Sequence, residues 1–102
     1  MLFVQKMSEK IKRTAPLLKK AIALKYEMGK DQAPIVVAKG DGFIAEKIIA
    51  LARTHDIHCQ ENPELVQILS KVELETQIPY EAFATVAQII VYLYKIQGKL
   101  KQ

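Results

Sequence analysis

With a single cysteine, Cys59, the chain has no internal disulfide open to it. A lone thiol fits a reducing cytoplasm and a fold held by packing alone. Tryptophan is absent, and the residues between the N-terminal lysines include no aromatic side chain. Stacking on nucleic-acid bases therefore has little to work with. No apolar run approaches the length of a membrane-spanning helix. The opening "MLFVQKMSEKIKR" meets charge too early for a secretory signal. Internal repeats and low-complexity segments are also missing.

What remains is a composition suited to one small globular domain. The chain has 102 residues, half of them apolar and a quarter charged, enough for a modest core. The net charge of +4 is unevenly spread. Residues 1–25 carry seven basic side chains (Lys6, Lys10, Lys12, Arg13, Lys19, Lys20, Lys25) against Glu9 alone, a balance of +6 that leaves −2 for the rest. This asymmetry suggests a basic arm, residues 1–19, on a nearly neutral body, residues 20–102. Such an arm attracts polyanions electrostatically; a solvated or membrane-proximal arm accounts for it as well.

Periodicity places the elements. Residues 4–19 allow a short helix, interrupted or ended by Pro16, so the arm is expected to be helical or flexible. "KAIALKY" (20–26) alternates as a strand with Ile22, Leu24 and Tyr26 on one face. "IVVA" (35–38) is a short β-branched run, as in a buried strand. Asp41 is suited to cap a helix over 42–54, with Ile44, Ile48, Leu51 and Ala52 on its inner stripe. "IHCQ" (57–60) reads as a third strand. Strand–helix–strand with short joints implies a parallel, right-handed crossover. In "ENPEL", Asn62 is a good cap and Pro63 fits the first helical position, ahead of an apolar face of Leu65, Ile68, Leu69 and Val72. Pro79 opens the longest helix, to about Lys95, with Phe83, Val86, Ala87, Ile90 and Tyr94 inward and Gly98 at its stop. The fold expected is α/β, a short mixed sheet of about three strands packed by helices.

Few constellations carry chemistry. The strand–glycine–helix stretch "PIVVAKGDGFIAEKI" (34–48) has the outline of a phosphate loop, but "KGDG" supplies few glycines and Asp41 would repel an anion. A tight connecting turn is the better reading. His55 and His58 have no clear third partner for a metal. Cys59 and His58, adjacent on a strand, point to opposite faces and cannot act as nucleophile and base. Glu73 and Glu75 read as solvated loop charges. No catalytic residue, metal or cofactor is expected. The run Ile89–Tyr94 is apolar on more than one stripe: either the helix is buried on two sides, or part of it is a docking patch.

"AIALKY" (21–26), "APIVVAKG" (33–40), "ENPELVQIL" (61–69) and "IPYEAFATVAQIIVYLY" (78–94), in this order and spacing, resemble the cytoplasmic domain of the FlhB/YscU family, the export-gate proteins of flagellar and type III secretion systems. The resemblance spans residues 20–96. It implies a non-enzymatic accessory of protein export that binds export substrates or gate components. Its partners would be those substrates, other export-apparatus proteins and the N-terminal part of a full-length gate protein. It would lie in the cytoplasm, at the inner face of the membrane when joined to the apparatus. Family members carry a membrane domain ahead of this region and an Asn-Pro-Thr-His motif. In that motif the asparagine amide attacks its own carbonyl, and the chain breaks before the proline. The neighbourhood here reads "TAPLLKKAIALKY": Thr14, Ala15 and Pro16 keep a proline and lack the asparagine, threonine and histidine. Self-cleavage is not expected, and Asn62-Pro63 matches a helix start elsewhere in the family.

The resemblance also implies a substrate-docking patch at Ala33 and Pro34 together with Ala87 and Ile90, the last standing where the family has leucine. With no convincing strand in residues 1–15, the sheet would keep an open edge, and the chain could take the place of the cleaved C-terminal fragment by pairing with the N-terminal part of the gate protein. Two other readings stay open: a self-cleaving switch with a non-standard site, and an adaptor that binds nucleic acid through the basic arm.

Overall fold

A computed structural model describes residues 2–10 and 17–98. Strands β1 (Leu2–Lys10), β2 (Leu17–Lys25), β3 (Ile35–Asp41) and β4 (His58–Glu61) form one sheet in the order β3-β2-β1-β4. β2 is antiparallel to both of its neighbours, and β4 runs parallel to β1. Helix α1 (Phe43–Thr54) covers one face; α2 (Pro63–Leu69) and α3 (Phe83–Ile96) cover the other. Among the described residues no helix is long and apolar enough to cross a membrane.

Alternation along the central strands divides the core. Phe3, Ile22, Leu24 and Val36 face α2 and α3, where Leu65, Val66, Leu69, Val86, Ile90 and Leu93 meet them. Val4 and Ala21 face α1, against Ala45, Ile49 and Ala52. The opposing faces follow from the two-residue period of a strand. One extra residue in β3 shifts the register between Ala23 and Leu24, so Val36 still turns inward.

The mixed α/β sheet packed by helices is as expected, but it has four strands, and the added one lies where a helical or flexible arm was expected. Residues 2–10 form β1, between β2 and β4. Phe3, Val4 and Gln5 are all buried there. A central strand buried on both faces shows no apolar–polar alternation, which is why its sequence does not look like a strand. The opening beside β2 is therefore filled by the chain itself, and the premise for borrowing a strand at that position falls away. The neighbourhood Thr14–Pro16 lies outside the described residues.

Three local expectations also change. Asp41 does not cap α1: it ends β3, and its carboxylate accepts a 3.1 Å bond from Lys20 across the ladder, while Gly42 stands at the helix start without a side-chain cap. The buried stripe of α1 is Ala45, Ile49 and Ala52, with Ile44 and Leu51 more than half exposed. The alanines let the helix lie close to a sheet face that is itself lined by Ala21 and Ala23. β3 and β4 do run parallel, but with β2 and β1 between them. The start of α2 is as expected: Asn62 Oδ1 accepts from Leu65 N–H at 3.2 Å, and Pro63 is first in the helix.

Candidate functional site

The loop between β2 and β3 is fixed by its own polar groups. Glu27 N–H donates to Asp31 Oδ2 at 2.9 Å, and Asp31 N–H returns a 2.9 Å bond to Glu27 O. Gly29, at φ +84°, makes the turn that this closure requires. The loop delivers Ala33 and Pro34, both buried, to the entry of β3.

The lead-in to α3 is tied to the same place. Val36 N–H donates to Thr76 O, Glu75 N–H to Val36 O and Ile78 N–H to Pro34 O, all within 3.0 Å. Residues 75–78 thus cover the outer edge of β3, and Pro79 with a 3-10 turn at Tyr80–Ala82 launches α3. A groove of about 360 Å³ lies between the loop and the helix. Its walls are Tyr26, Met28, Gln32, Ala33, Pro34 and Ile78 on one side and Phe83, Val86, Ala87, Ile90, Val91 and Tyr94 of α3 on the other. Among the described residues no charged side chain lines it.

All four residues singled out from the sequence, Ala33, Pro34, Ala87 and Ile90, border this groove. They differ in exposure. Ala33 and Ile90 are 4% and 8% exposed and form its floor, whereas Ala87 is exposed on the rim. Sequence reasoning did not single out Met28, Gln32 or Val91 for the groove. Phe83, Val86 and Tyr94 were visible only as a helix stripe. Both readings of the apolar run in α3 have a share: Ile89, Ile90, Leu93 and Tyr94 are buried, while Val91 and Tyr92 are about half exposed. Near the mouth, Met28 is 58% and Tyr80 88% exposed, and the rings of Tyr80 and Phe83 sit 5.9 Å apart. Exposed large apolar side chains around such a groove give it the means to take an apolar segment.

The remaining chemical candidates do not assemble. His58 contacts Tyr92 edge-on at 6.3 Å on the α3 face, while Cys59 packs among the residues around α1. Among the described residues no three of His, Cys, Asp and Glu are grouped to hold a metal. The glycine turn has a steric basis: a Cβ on Gly40 would come within 2.2 Å of Ile44 Cγ2, and Gly42 has φ +57°.

Comparison with known proteins gives a consistent result. The sequence model of the FlhB HrpN YscU SpaS family matches residues 18–93. "Uncharacterized protein YlqH" of Bacillus subtilis (strain 168) is 37% identical over 84 residues, 82% of this chain and 90% of that protein. The flagellar biosynthetic protein FlhB is 42% identical over 81 residues in Bacillus subtilis and 46% over 74 residues in Aquifex aeolicus. The match covers 78% and 72% of this chain but only 22% and 21% of those two proteins. The crystal structure of the cytoplasmic domain of FlhB from Shewanella putrefaciens superposes with a TM-score of 0.71 at 26% identity, covering 95% of this chain and 77% of that one. A variant of the EscU C-terminal domain gives 0.67 at 32% identity, covering 72% and 79%.

Proposed function

This chain belongs to the FlhB HrpN YscU SpaS family, whose members serve flagellar and type III protein export, and on that premise we propose that it is a non-enzymatic accessory of the export gate. Its groove between the β2–β3 loop and α3 receives apolar segments of export substrates or of gate components. One observation carries this reading: Ala33, Pro34, Ala87 and Ile90, which the resemblance assigns to docking, converge on a single open groove without charge. A short apolar segment entering it would be held by area removed from water, at roughly 25 cal/mol per Å² before the cost of ordering. Affinity would be modest, as suits a partner that must move on.

Because β1 fills the place beside β2, the chain would act at the gate as an intact domain, in place of the cleaved C-terminal fragment and without a borrowed strand at that position. Its partners are then the N-terminal part of a full-length gate protein, export substrates and other apparatus proteins, met at the inner face of the membrane. Ala87→Asp gives a clean test, because Ala87 is exposed and the fold does not depend on it. Titration of purified export substrates from the same cell should show at least a tenfold weakening for the variant, with an unchanged unfolding midpoint. Equal affinity in a folded variant would exclude the groove.

A further inference from the structure

On the side of α3 opposite the groove, the structure holds a second cleft with different chemistry. β4 is the outermost strand there. Between it and α3 lies a space of about 550 Å³, walled by His58 and Gln60 from the strand, by Asn62 just after it, and by Thr85, Gln88 and Tyr92 from the helix. Among the described residues no acidic, lysine or arginine side chain lines it.

The backbone of β4 has hydrogen-bonding capacity on this side. Asn62 N–H donates to Lys6 O at 3.0 Å, which fixes the phase of the parallel ladder with β1. Gln60 and Asn62 turn their peptide groups to β1, so Cys59 and Glu61 turn theirs outward. Cys59 lines the cleft even though its side chain packs on the other face, around α1; its backbone is what the cleft meets. Beneath it, Gln5 is fully buried, pairs in register with Gln60 on the same face, and has no side-chain partner among the described residues.

We propose that β4 accepts an extended, uncharged segment of a partner polypeptide as a fifth strand, with α3 as the opposite wall. An edge strand facing a helix across a groove is the arrangement by which peptides add to a sheet. Outward N–H and C=O groups of β4 would bond the incoming backbone, and the amides of Gln60 and Gln88 match the donors and acceptors of a peptide. A charged side chain entering the cleft would lose hydration with no charged group of the described lining to pair it. A second copy of this chain fits poorly: β4 offers four residues, and pairing two such edges buries far less than the roughly 1,200 Å² of a stable interface.

Ten-residue peptides selected from a displayed random library on the intact chain supply the probe. Titrated into ¹⁵N-labelled protein, the best binder should shift the amides of Cys59 and Glu61 and slow their hydrogen exchange. Thr85→Arg or Gln88→Lys, each made at an exposed helix position, should weaken it at least tenfold, whereas Ala87→Asp should leave it unchanged. The proposal is overturned if no peptide is selected, or if binders perturb Ala87 and Ile90 and leave β4 untouched. It is equally overturned if the edge amides are already protected by concentration-dependent self-association. The first groove and this cleft respond to different substitutions, so either can fail alone.

Discussion

At the scale of single residues, two positions carry consequences that their neighbours do not share. Gly40 is a glycine because Ile44 stands over it: an added methyl would meet Ile44 Cγ2 at 2.2 Å and Ile44 Cβ at 2.7 Å. Cβ cannot move aside by a rotamer change, so the first turn of α1 would have to shift. Gly40→Ala should cost about 1–3 kcal/mol, read as a lower denaturant midpoint. A variant as stable as the parent would show that the turn relaxes freely. Gln5 predicts the opposite sign. Its amide is buried without a partner among the described residues, and such a group costs about 1–3 kcal/mol. Gln5→Leu should therefore raise stability by about 1 kcal/mol, measured by urea unfolding; a loss would mean that the amide is bonded in solution. The sequence makes Asn62-Pro63 legible as a helix start, because capping is a local interaction. It does not reveal Gly40's neighbour or Gln5's burial, since both depend on what packs against them.

At the scale of elements, α2 is short and is held at both ends. Asn62 caps its start, and Lys39 Nζ, from β3, donates to Ser70 O at 3.2 Å and Val72 O at 2.6 Å beyond its end. Cations near the last carbonyls also favour the helix dipole. Lys39→Met should cost about 1 kcal/mol and speed hydrogen exchange in α2 before α3; uniform exchange rates would contradict this. Legibility varies element by element. β2, α2 and α3 could be read because each carries large apolar side chains at the period of its element, Ile22 and Leu24, Leu65 and Leu69, Val86 and Ile90. β1 could not: Phe3, Val4 and Gln5 are buried in sequence, and its partner β4 lies more than fifty residues away. α1 was found but rotated by about one residue, because large apolar side chains suggested the inner face that small alanines in fact occupy. Close packing against an alanine-lined sheet reverses the usual ranking by size.

At the scale of the whole molecule, the described residues form an α/β/α sandwich that presents two unlike concavities on opposite sides of one helix. The apolar groove was partly legible: the resemblance pointed to Ala33, Pro34, Ala87 and Ile90, but their convergence needs the bonds that tie residues 75–78 to β3. The amide-lined cleft had no sequence signal, since it depends on which strand is outermost. Purified chain should show one intact mass after prolonged incubation; paired fragments adding to that mass would restore the self-cleaving alternative. The most direct measurement of the central claim places a photo-crosslinking phenylalanine derivative at Ala87 in cells engaged in export, with the same group at Gln67, an exposed position on α2, for comparison. The account predicts adducts with export substrates or gate proteins from position 87 and none of these from position 67. The same adducts from both positions, or none from 87 while export proceeds, would contradict it.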